Sequence, residues 1–69
     1  MVYLIDYTPL LVFLVENKKK VTELKIDLGI SSSTVAKINK NEYLSLQIIE
    51  SICLHYNIPI EQVVRITKD

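Results

Sequence analysis

A chain of 69 residues encloses too little interior for a deep substrate cavity, and its core is marginal without help, so an enzyme is a poor expectation. Apolar residues make up 49% of it, more than one small core hides, which points to apolar surface meeting another chain; a homodimer satisfies both constraints. Eight basic residues balance eight acidic ones, so net charge argues neither for nor against a nucleic-acid partner.

Residues 2–7, VYLIDY, are β-branched and aromatic, which predicts a short strand with Val2, Leu4 and Asp6 on one side. Thr8 followed by Pro9 predicts a cap and a first helix from Pro9 to about Asn17. The apolar opening MVYLIDYTPLLVFLV is broken by Asp6 and Pro9 and has no basic start, so neither a membrane span nor a targeting signal is expected, and the chain is placed in the cytoplasm. Lys18, Lys19 and Lys20 form a basic connector to a second helix from about Val21 to Leu28, ended by Gly29, the sole glycine. Ser31 then caps a third helix, Ser32 to about Lys40, and Asn41, Glu42 and Tyr43 form a connector. Ser45 caps a fourth helix from Leu46 to about Tyr56, with Leu46, Ile49, Ile52, Cys53 and Tyr56 turned inward. Asn57 ends it, and Pro59 opens a fifth, short helix to about Val64. The tail from Arg65 to Asp69 is either the frayed end of that helix or a strand paired with residues 2–6, within the chain or across a dimer. No repeat, linker or low-complexity stretch suggests a second domain, so residues 1–69 read as one all-α, five-helix unit with this small pairing as an option.

Between Lys18 and Asn41, six lysines (18, 19, 20, 25, 37 and 40) face only Glu23 and Asp27, leaving four net positive charges that the rest of the chain offsets. On the third helix Val35 and Ile38 turn inward, while Ser33, Ala36, Lys37 and Lys40 cluster on the opposite side at about 100° per residue. Cys53 stands among isoleucines and reads as an apolar filler in a reducing compartment. His55, about 200° further round the helix, is expected in solvent. No Cys, His, Asp or Glu set has metal-ligand spacing, and no cofactor or small-molecule substrate is implied.

The spacing Leu24, Leu28, Gly29, Ile30, Val35, Ile38, followed by a fourth amphipathic helix, resembles the helix-turn-helix of the Cro and phage-repressor type, often called Xre-like. The pattern TPL, TEL, LGISSSTVAKINKNEYLSL, ICLHYNIPIEQVV looks more narrowly like a group of very small bacterial regulators consisting of this domain alone, and it spans Thr8 to Val64. Two positions depart from the pattern: Lys25 stands where a small residue is usual, so its stem must lie along the surface, and Lys20 where a hydroxyl cap is usual.

The resemblance implies a DNA-binding protein whose third helix enters the major groove. Ser32, Ser33 and Lys37 are then the candidates for reading bases, and Lys18, Lys19, Lys20, Thr22, Lys40, Asn41 and Tyr43 for holding phosphate. Blander readings stand beside these: Ser31 as a structural cap, the lysine run as a solvated connector, and Tyr43 as a ring packed over the third helix. The first turn of the recognition helix lacks Arg, Asn and Gln, so base discrimination is expected to be modest. Useful specificity then requires two copies about 34 Å apart. Ile60, Val63, Val64 and Ile66 are the expected homodimer interface. The leading expectation is a sequence-specific transcriptional regulator, with a repressor the favoured form, although the residues themselves do not distinguish repression from activation. The alternative is an interaction module of the same fold, of antitoxin or anti-repressor type, that binds another regulator. An enzyme has no nucleophile with a base and no carboxylate pair in its favour.

Overall fold

The computed structural model describes residues 4–67, in the order β1 (Ile5–Asp6), α1 (Thr8–Glu16), α2 (Glu23–Leu28), α3 (Ser32–Asn39), α4 (Leu46–Tyr56), a 3₁₀ turn (Ile60–Gln62) and β2 (Arg65–Ile66). The expected strand positions Val2 and Tyr3, and Lys68 and Asp69 of the tail, lie outside the described residues. None of the described helices is long and apolar enough to cross a membrane.

Four α-helices, not five, form the body, because the expected last helix stops after a single 3₁₀ turn. Pro59 opens that turn, and the N–H groups of Val63 and Val64 both donate to the Ile60 carbonyl. Beyond it the run Val63, Val64, Ile66, Thr67 is almost wholly β-branched and favours extended backbone. The chain accordingly returns as β2 and pairs antiparallel with β1, Ile66 opposite Ile5 and Arg65 opposite Asp6. Thr67 closes the ladder by donating its N–H to the Leu4 carbonyl at 2.7 Å.

Tyr7, Leu10, Leu14, Leu24, Ile38, Ile49, Ile52 and Val63 form one core to which every α-helix contributes. Two sequence expectations fail here. Val63 is fully buried rather than free for a partner, because the turn after Pro59 rolls it under α1 and α4. Leu46 is 74% exposed rather than inward, since it lies about 120° round the α4 axis from Ile52, off the buried line.

The helix ends follow one plan. Within two residues of each helix end one residue takes the left-handed conformation: Lys18 (φ 58°), Gly29 (φ 69°), Asn41 (φ 56°) and Asn57 (φ 55°). After α1, Lys19 N–H reaches back to the Leu14 carbonyl and Lys18 N–H to Val15; after α3, Glu42 N–H reaches Lys37 and Asn41 N–H reaches Ile38. These paired bonds satisfy carbonyls that a helix end otherwise leaves to water. At the N-termini, Ser31 and Ser45 cap α3 and α4 as expected, accepting from Thr34 N–H and Ile48 N–H at 3.2 Å each.

The expected Thr8 cap does not form: Thr8 is the first residue of α1, the cap position falls on Tyr7 without a side-chain bond, and Asp6 before it serves Thr8 instead. One oxygen of its carboxylate accepts both the N–H and the hydroxyl of Thr8, at 3.1 and 2.7 Å, because a carboxylate two residues ahead spans the start of α1 better than the short hydroxyl does. The start of α2 has no side-chain cap at all, and a tight turn through Lys20, Val21 and Thr22 precedes its first α-helical residue, Glu23.

Candidate nucleic-acid interface

α2, the turn at Gly29 and α3 build the candidate surface. Leu24, Val35 and Ile38 fasten the two helices to the core from the inside. Gly29 turns the chain with φ 69° and ψ 21°, and Ser31 is extended again at φ −78° and ψ 163°. Only a residue that tolerates positive φ makes that switch within three positions. The open N-terminus of α3 therefore emerges at the surface with Ser32 and Ser33 beside it.

Ser32, Ser33, Lys37 and Lys40 are all exposed and share the outward face of α3, with half-buried Ala36 among them. The serines are not equivalent. Ser33 Oγ lies 2.9 Å from Ser31 Oγ, which lies 3.0 Å from Thr34 Oγ1, so Ser33 belongs to a hydroxyl cluster organised by the cap. Ser32 makes no side-chain hydrogen bond among the described residues and keeps its full donor and acceptor capacity for a ligand.

The expected phosphate ligands are arranged in three ways. Lys18, Lys20 and Thr22 are exposed at the entry to α2. Lys19 is half-buried, with Nζ 3.5 Å from Oδ2 of Asp27. Asn41 and Tyr43 follow α3: Asn41 Oδ1 accepts from the N–H of Tyr7 at 3.0 Å, and Tyr43 leaves 55% of its surface in solvent. An amide oxygen is of no use to a phosphate, so any such contact from Asn41 falls to Nδ2. Lys25 is exposed, as its long stem requires beside the helix crossing.

Two groups that the sequence reading passed over tune this surface. Tyr56 on α4 donates its hydroxyl to Asp27 Oδ2 at 3.0 Å, the same oxygen that faces Lys19. Burial, together with that hydrogen bond and the charges of Asp27 and Glu23, pushes the Tyr56 phenol up to about 12. Tyr7, fully buried, donates its hydroxyl to the Glu42 carbonyl at 2.7 Å. These partners stand 29 to 35 residues apart, so no local pattern announces them.

Cys53 is a half-buried free thiol, raised by burial and by the charge of Glu61, which suits a filler and not a nucleophile. Among the described residues no three His, Cys, Asp or Glu side chains converge on a metal position.

A helix, a left-handed turn and a second helix with a basic, hydroxyl-bearing outer face define a helix-turn-helix domain. The chain belongs to the Cro/C1-type HTH DNA-binding domain family, whose model matches residues 10–69. It is similar in structure to the transcriptional regulator VanUg, with a TM-score of 0.88 and 31% sequence identity over 94% of this chain and 87% of that one. No curated protein matches the sequence.

Proposed function

We propose that this protein is a sequence-specific transcriptional regulator, acting as a repressor, that binds duplex DNA as a homodimer with α3 in the major groove. The observation that carries the reading is the outer face of α3, where Ser32, Lys37 and Lys40 are exposed and have no partner among the described residues. Ser32 and Lys37 are the base-reading groups, with Ser33 oriented by its bond to Ser31. Lys18, Lys20, Thr22, Lys40 and Tyr43 hold phosphate, and Lys19 and Asn41 contribute what their internal bonds leave free. The resemblance to VanUg, a transcriptional regulator, supports the regulatory role.

The homodimer reading rests on an apolar groove lined by Ile5, Leu46, Ile49, Ile60, Val64 and Ile66. Ile60, Leu46 and Ile66 are 49%, 74% and 70% exposed, a continuous apolar area that a lone soluble domain rarely shows to water. Glu61 and Arg65 border the same groove, with Arg65 held to Asp6 at 2.7 Å.

Selection of bound duplexes from a random pool at low salt tests the reading. Enrichment of a two-fold-symmetric sequence with half-sites about one helical turn apart is expected. If no duplex is retained above background, the interaction-module reading replaces this one.

A further inference from the structure

Tyr7 is fully buried, yet both its backbone N–H and its hydroxyl point to the same short segment, which lies after α3. The N–H donates to Asn41 Oδ1 at 3.0 Å and the hydroxyl to the Glu42 carbonyl at 2.7 Å, across 34 and 35 residues of sequence. The segment from Lys40 to Ser45 is otherwise irregular. Its own two bonds to the end of α3, from Asn41 to Ile38 and from Glu42 to Lys37, fix its start, and Leu44 packs against the core further on, so the bonds from Tyr7 hold the stretch between these anchors.

We infer that Tyr7 is a positioning residue for DNA binding, which pins the turn after α3 so that Lys40 and Tyr43 meet the phosphate backbone in one register with the helix between them and the bases. This rests on the groove assignment made above. Without the pin, the turn between those anchors is held less tightly, and DNA binding must first order it, a cost that falls on the specific complex because only that complex demands a single register.

The pin also has an anchor. Asp6, adjacent in sequence, accepts from Arg65 Nε at 2.7 Å, and Ile5 pairs with Ile66, so residues 5–7 run from the apolar groove to the end of the recognition helix. A second copy docked at the groove is thereby linked to the turn through three consecutive residues.

The test is Tyr7→Phe, which keeps the buried ring and removes only the hydroxyl. Affinity is measured for the selected operator and for an unrelated duplex, at a temperature where circular dichroism shows both proteins fully folded. Operator affinity is expected to fall roughly tenfold, the worth of one good buried hydrogen bond, with the unrelated duplex changed less than twofold. Amide exchange is expected to quicken from Asn41 to Leu44 and not in α4. Unchanged operator affinity overturns the inference, and so does an equal loss on both duplexes, which is what a purely structural role predicts. Failure of the unaltered protein to bind any duplex defeats the groove assignment itself, an outcome read from the wild-type arm alone. Should Tyr7→Phe not fold, para-fluorophenylalanine at position 7 fills the space of the hydroxyl without donating a hydrogen bond and is expected to show the same selective loss.

Discussion

Gly29→Ala isolates what the helix-turn-helix turn demands of its backbone. A Cβ built on Gly29 meets nothing within 4 Å, so the substitution produces no clash, and its whole cost is the conformational one at φ 69°. Forcing an L-residue into that region costs roughly 1–2 kcal/mol, against which the stiffer unfolded chain returns about 0.4–1 kcal/mol. A net loss of about 1 kcal/mol follows, which for a domain of this size lowers Tm by roughly 4–8 °C. Lys18, at φ 58°, already bears the same strain, so Lys18→Gly is expected to change stability in the opposite direction, by up to about 1 kcal/mol. Urea unfolding of the pair of variants against the parent measures both. A loss above about 3 kcal/mol for Gly29→Ala would mean that the turn is closed by packing rather than by backbone conformation. A loss in both variants would remove the left-handed strain argument altogether.

On DNA, Lys37→Ala should weaken the operator complex and relax preference at one base position, while Lys20→Ala should weaken all duplexes alike and flatten the salt dependence by about one unit; titrations at several salt concentrations separate them, and identical profiles would contradict the assigned roles. Asp27→Asn removes the charge facing Lys19 at 3.5 Å, so affinity for any duplex should rise and the salt dependence should steepen, and an unchanged slope would show that Lys19 does not reach DNA. Stability should also have two pH edges. Hydrogen bonds from Thr8 and Arg65 hold the Asp6 carboxyl below its ordinary 3.8, so its contribution is present above that value and is lost as pH falls through the lower folded value. Asp6→Asn should abolish that acid edge in urea unfolding. The Tyr56 phenol, raised from 10.0 to about 12, contributes below pH 10 and loses its contribution as pH rises through the folded value; burial raises the Tyr7 phenol as well, so phenolate absorbance should show late titration from both, and Tyr56→Phe should remove one component and leave the other.

Most of what was legible in the sequence is local. Ser31 and Ser45 declared their helices because a hydroxyl and the N–H three residues on are neighbours in the chain. Gly29 declared its turn because no other residue takes that conformation so freely. Asn41 and Asn57 fill the same role with less freedom, and Lys18 with none, so its left-handed conformation is imposed by the bonds from Lys19 and Lys18 back into α1. The last helix was misjudged because Pro59 starts a helix and a 3₁₀ turn equally well; only the β-branched run after it, and a partner strand 59 to 61 residues earlier, tip the choice.

The candidate site divides along the same line. Periodicity alone placed Lys37 and Lys40 outside and Val35 and Ile38 inside, because a helix repeats every few residues whatever surrounds it. The bond that ties Ser33 to Ser31 and leaves Ser32 free spans two residues and is local, whereas tertiary structure alone decided that Lys19 is partly neutralised by an aspartate which Tyr56 also holds. Tertiary structure likewise buried Val63, an expected dimer contact, and exposed Leu46, an expected core residue. Spacing on a single helix is set by backbone geometry and can be read from the chain. Pairings such as Tyr7 with Glu42 depend on how four helices close on one core, and no property of either residue foretells them.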